Sequence, residues 1–147
     1  MDTVNQILLI LHFLGLAMGF SVSFANMVMA SVAAKAPSAD QAVLARFPPA
    51  MSRVGDIGLA TLWITGLTML FTRWGGLSNL SAMPWQFHVK LTAVVILSAL
   101  IGYIHSLMRK ARLGDAAASA RIPIIGRFTF LIAVTAVVFA VLTFEQF

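Results

Sequence analysis

Four apolar runs, about Ile7–Ala34, Val54–Phe71, Phe87–Met108 and Ile124–Phe144, occupy most of this chain and leave only short connections between them. Each is long enough to cross a bilayer, whose hydrocarbon core of about 30 Å requires roughly 20 mainly apolar residues in a helix. Inside lipid a backbone must satisfy its own hydrogen bonds, so runs of this length predict helices. The expected fold is all-α: one integral membrane four-helix bundle, with residues 1–147 forming a single four-span transmembrane domain. Composition agrees, at 60% hydrophobic, 10% charged and a mean hydropathy of +0.93, well away from the usual makeup of soluble domains. The first run has no basic leader and is too long for a signal peptide, so it reads as a retained span, although Ala34-Lys35-Ala36 imitates a cleavage site.

The connections carry the charge. Lys35, Arg46 and Arg53 lie between the first and second spans, and Arg109, Lys110, Arg112, Arg121 and Arg127 lie between the third and fourth. The other side has only Arg73 and the membrane-edge Lys90. By the positive-inside rule the first and third connections are cytoplasmic, both termini are on the outer (periplasmic) side, and Trp74 and Trp85 belong to an outer aromatic belt. The net charge of +5 therefore reflects topology and gives no ground for nucleic-acid binding. Membrane lipid is the expected partner, and headgroup contact is the simplest account of the basic connection before the fourth span.

Within the connections, Ser38 and Gln41 make a capping-box pattern for a short interfacial helix that Pro48-Pro49 should stop. Gly114-Asp115 and the alanines after it predict a brief surface helix. In the last span Thr129, Ala133, Ala136, Ala140 and Thr143 form a packing seam at three- and four-residue steps.

The chain has no cysteine, which excludes disulfides and thiolate metal sites. It has no phosphate-binding glycine loop and no hydrolase motif. Asp56 and Glu145, the acids nearest the spans, sit at opposite ends of them, so no carboxylate pair is available; Asp56 is placed to pair with Arg53 three residues away. Candidate chemistry rests on His12, His88 and His105, because an ionisable residue in a span is costly without a partner. With the topology above, His12 and His88 lie at similar depths near the outer side. His105 is about 25 Å from His88 along the helix axis and reads as solvated beside Arg109 and Lys110.

Two imidazoles at one depth on different helices suit axial ligation of a haem iron, and a four-helix bundle can hold a cofactor from facing helices. His12, Gly19, Ser23, Asn26 and Ala30 share one face within about 40° at 100° per residue. That small, polar face serves either a close helix contact or space for a flat group beneath His12. Thr92, Val95, Ala99 and Gly102 accompany His88. Lys90 suits a propionate or a substrate carboxylate near the outer surface; its alternative is a snorkelling interfacial lysine. For His12 and His88 the alternatives are a hydrogen bond across helices and an interfacial position beside Trp85. Met18, Met27, Met29, Met51, Met69 and Met83 offer thioether donors for copper(I) or for haem, or serve as apolar filler.

Leu11-His12-Phe13, Gly66-Leu67, Trp85-Gln86-Phe87-His88-Val89-Lys90-Leu91 and Gly102-Tyr103-Ile104-His105 together resemble the HemJ-type protoporphyrinogen oxidase family and its wider superfamily, which includes CopD-like copper-resistance membrane proteins. The resemblance implies a haem b-binding oxidoreductase of the bacterial inner membrane. Such a protein assembles as an oligomer, oxidises a tetrapyrrole substrate and passes electrons to a respiratory-complex partner. It makes His12 and His88 the haem-ligand candidates and Lys90 a functional partner. The chain departs from the family pattern at Phe24-Ala25-Asn26-Met27-Val28-Met29, where an arginine is expected, and just before His12, where a tryptophan and a lysine are expected. The alternatives are a CopD-like metal-handling protein using His and Met, and a haem-free accessory subunit docked to a larger complex.

The topology has a direct test. Alkaline phosphatase fused after Phe147 is expected to be active, and the same reporter inserted between Arg112 and Arg121 is expected to be inactive; the reverse pattern would invert the orientation.

Overall fold

The computed structural model describes residues 3–44 and 46–144; Asp2 and Glu145 lie outside them. The described residues form α1 (Thr3–Ala33), α2 (Ser38–Leu44), α3 (Phe47–Trp74), α4 (Trp85–Arg112) and α5 (Ala116–Phe144), with a 3-10 helix at Leu77–Ala82. Helices α1, α3, α4 and α5 are the four expected spans. The shortest has 28 residues, or roughly 42 Å at 1.5 Å per residue, enough to cross the hydrocarbon core and emerge on both sides. The chain is thus an all-α, multi-pass membrane protein. Large apolar side chains point outward, with Ile10 61%, Ile64 66% and Leu131 58% exposed, as lipid-facing positions require.

Two boundaries differ from the sequence expectation. Pro48-Pro49 was expected to stop the short helix after the first span, but α2 ends earlier, at Leu44, and the two prolines begin α3. Their missing N–H groups are ones the first helical turn leaves unbonded in any case. Gln41 Nε2 donates to the Ala36 carbonyl at 3.3 Å instead of completing a capping box. The second boundary is at α5. The expected surface helix after Gly114-Asp115 is the first part of α5, which continues through Pro123. Asp115 Oδ1 accepts the Ala118 N–H at 2.9 Å, the geometry of an N-cap.

Helix α1 packs along α3, and α4 along α5; the two pairs meet through α1 and α5. The α1–α3 contact is set by glycine. A Cβ on Gly58 would stand 2.8 Å from the Gly15 carbonyl oxygen, and one on Gly15 would stand 2.9 Å from that of Gly58. Two backbones approach this closely only where neither residue carries a side chain. Thr129, Ala133, Ala136, Ala140 and Thr143, read from the sequence as a packing seam, are all buried, and the first four border the cavity described below. Helices α3 and α4 are farther apart. Long side chains bridge them: the Trp63 indole N–H donates to Ser98 Oγ at 3.0 Å, and Ser52 meets His105 nearer the basic end.

Gly58→Ala is expected to cost about 1–3 kcal/mol through overpacking, measured by unfolding of the purified protein in mixed micelles. Gly19→Ala, where a Cβ meets nothing within 4 Å, is expected to leave stability unchanged.

Candidate functional site: a cavity between two helix pairs

The separation of α3 from α4 opens a cavity of about 1130 Å³, just above the roughly 300–1,000 Å³ usual for small-molecule sites. One stripe of each helix lines it. On α1 the stripe includes His12, Gly19, Ser23, Asn26 and Ala30, the small and polar face read from the sequence. Gly15 turns toward α3 and packs, while Gly19 borders the same crossing through its backbone nitrogen and leaves open space where a side chain would stand. On α4 the stripe is Phe87, Lys90, Leu91, Val94, Leu97 and Ile101, residues at three- and four-residue steps on one helical face.

His12 is a tightly held polar group of the wall. It is only 9% exposed, and its ring lies so close to Gly66 that a Cβ there would stand 3.3 Å from Cε1. Its Nδ1 is 2.8 Å from Thr65 Oγ1, and Thr65 Oγ1 is 2.6 Å from the Thr61 carbonyl oxygen one turn earlier. A hydroxyl has one proton to give. With that proton donated to the Thr61 carbonyl, Thr65 Oγ1 accepts from Nδ1–H, and in the neutral ring the lone pair resides on Nε2. A histidine held through one nitrogen in this way presents the other as a ligand. The threonines of α3 therefore have two uses. Thr61 bonds its own helix, at 2.8 Å to the Ile57 carbonyl, whereas Thr65 also orients His12.

Lys90 lines the cavity and lies within electrostatic reach of His12. His88 does not. The sequence expectation placed His12 and His88 on opposite faces of one flat group, but His88 is exposed and is absent from the cavity wall. The reason is helical phase. The inward stripe of α4 passes through Phe87 and Lys90, so His88 turns outward with Thr92, Val95, Ala99 and Gly102, all exposed. The ring recorded beside it is that of Phe87, edge-on with centroids 6.1 Å apart.

His105 is the group that sequence reasoning passed over. Its Nε2 is 2.6 Å from Ser52 Oγ and 3.4 Å from Asp56 Oδ1, and all three residues line the cavity. Asp56 thus faces His105 on α4 instead of pairing with Arg53 on its own helix. The signal was available in the four-residue step from Ser52 to Asp56, which puts both on one face of α3 at the depth of His105. The two polar groups are well separated, since Thr65 and Ser52 are about 20 Å apart along α3 at 1.5 Å per residue.

Another polar feature of the wall is Asn26, whose Oδ1 is buried without a hydrogen-bond partner. Buried carbonyl oxygens are ordinarily bonded, so this one suits a donor brought by a ligand. Met27, Met29 and Met69 also line the cavity. Among the described residues no three His, Asp or Glu side chains converge as a metal-binding group. Comparison with protein-family models, curated proteins and solved structures finds no match to this chain.

Thr65→Val is expected to destabilise the protein by about 1 kcal/mol, the scale of interhelical hydrogen bonds in membranes, with Thr65→Ser close to wild type. Thermal unfolding in detergent reads both; equal losses in the two variants would mean that the hydroxyl does not hold His12.

Proposed function

We propose that this chain is a haem b-binding membrane oxidoreductase of the type represented by the HemJ-like protoporphyrinogen oxidases, with His12 as the iron ligand supplied by the cavity. The observation that carries the reading is the His12–Thr65–Thr61 arrangement. It fixes a buried imidazole with Nε2 available, on the wall of an apolar cavity large enough for a tetrapyrrole. The residues fit the group in three further respects. The α1 face beside His12 is small, Lys90 gives a cation for a propionate or a substrate carboxylate, and the other walls are largely hydrocarbon. The bound haem would supply reversible one-electron chemistry to the site.

The chain's own residues do the rest. Thr65 orients the imidazole, Gly66 lets it lie against α3, and Lys90 attracts the anionic edge of a tetrapyrrole. The apolar stripes of α1 and α4 exclude water. In this reading ligation uses one histidine from the cavity, and His88 remains on the outer surface of the bundle. In this reading the basic end faces the cytoplasm across a bacterial inner membrane, the orientation that the positive-inside rule favours, and a respiratory partner is the electron acceptor.

Oxidised and dithionite-reduced visible spectra of the detergent-purified protein, expressed with haem available, test the reading. Sharp reduced bands are expected in the wild type and in His88→Ala, and are expected to be lost in His12→Ala. A colourless wild type, or bands that persist in His12→Ala, would overturn it.

A further inference from the structure

Beyond the main cavity, α3 and α4 enclose a second concavity of about 260 Å³ at the basic end, lined by Ser52, Arg53, His105, Arg109 and Arg112, with Pro49 and Met108 as apolar walls. We propose that it is a binding site for a phosphate group, carried either by a membrane lipid headgroup or by a free phosphate ion.

Three observations lead there. First, the positive charge converges from two different spans. Arg53 comes from the first turns of α3, and Arg109 and Arg112 come from the last turn of α4. Guanidinium groups are planar forks whose N–H groups match phosphate oxygens in pairs. Among the described residues none of the three forms an ion pair with a carboxylate; the recorded pair in this region joins Asp56 to His105. Asp56 lines the main cavity and not this one, so its charge does not occupy the site.

Second, the Ser52–His105 bond gives the site a hydroxyl donor. The Asp56 carboxylate lies 3.4 Å from His105 Nε2, which favours a proton on that nitrogen over a lone pair. Nε2–H then donates to Ser52 Oγ at 2.6 Å, and the hydroxyl proton of Ser52 has no acceptor among the described residues. A phosphate oxygen in the concavity would accept it.

Third, the place suits the ligand. The concavity lies at the end of the spans where the basic residues concentrate, at the level that lipid phosphates occupy. Pro49 and Met108 give it apolar walls, against which the glycerol part of a lipid would rest. Ser52 and His105 also line the main cavity, so the anion would sit at its mouth.

The test uses the full chain in detergent, read by native mass spectrometry in two arms: titration with phosphatidylglycerol, with phosphatidylcholine as the neutral control, and titration with inorganic phosphate. Saturable binding of one phosphatidylglycerol or one phosphate per chain, with weaker binding of phosphatidylcholine, is expected; which arm saturates identifies the source. The double variant Arg53→Gln/Arg109→Gln is expected to weaken that binding by about tenfold or more, as loss of charge-assisted bonds implies, and Ser52→Ala to weaken it less. Lys110→Gln removes an exposed neighbouring charge that does not line the site and is expected to leave binding unchanged. Circular dichroism checks that each variant keeps its helix content. Binding in neither arm, or equal weakening by Lys110→Gln and by the double variant, would overturn the proposal, since the second result would indicate only diffuse surface charge.

Discussion

The close backbone contact between Gly15 and Gly58 sets the rest of this structure. In a bilayer the hydrophobic effect gives two apolar helices little reason to associate, because lipid tails are as apolar as leucine; packing and hydrogen bonds must supply the attraction. The glycine crossing permits that packing. It brings α1 near enough to α3 for His12, one turn away from Gly15, to reach Thr65 and to lie against Gly66. If the two backbones stood a methyl group farther apart, the histidine would lose both its hydrogen bond and its position.

The same tight pairing explains the cavity. Small residues hold α1 to α3, and α4 packs along α5, so each pair is compact. Between α3 and α4 no comparable contact forms, and side chains such as Trp63 and His105 bridge the distance. The result is one long cavity with two distinct polar regions. One region has an imidazole bonded to threonine, with a lysine in the same wall. The other has a histidine held by serine and aspartate, beside an arginine-lined recess.

Much of the site was legible in the sequence, residue by residue. The face of α1 that includes His12, Gly19 and Asn26 follows from helical periodicity, and it does line the cavity. Lys90 was read as a partner for an anionic group or as a snorkelling lysine, and its place in the cavity wall comes from the structure. The partner of His12 was not legible, because nothing in a list of threonines says which one faces another helix at the right height. His88 shows the converse error. Its small-residue companions looked like an interior face, but in α4 the stripe through Phe87 and Lys90 turns inward and theirs turns to the surface. Asp56 was read against its nearest basic neighbour in sequence, whereas its partner, His105, comes from another span.

What the sequence determined by itself was the number of spans, their approximate limits and the helical character that lipid imposes on them. Hydropathy is sufficient for this, because a backbone inside hydrocarbon has few ways to satisfy its hydrogen bonds. What only the tertiary structure decided was the rotation of each helix about its axis, and with it the choice between His88 and His105 as an inward-facing residue. The physical reason is that the inside of this bundle and the lipid around it are similarly apolar. A hydrophobic residue is content on either side, so the inward face is fixed by a few close contacts, above all the glycine crossing and the hydrogen bonds between spans.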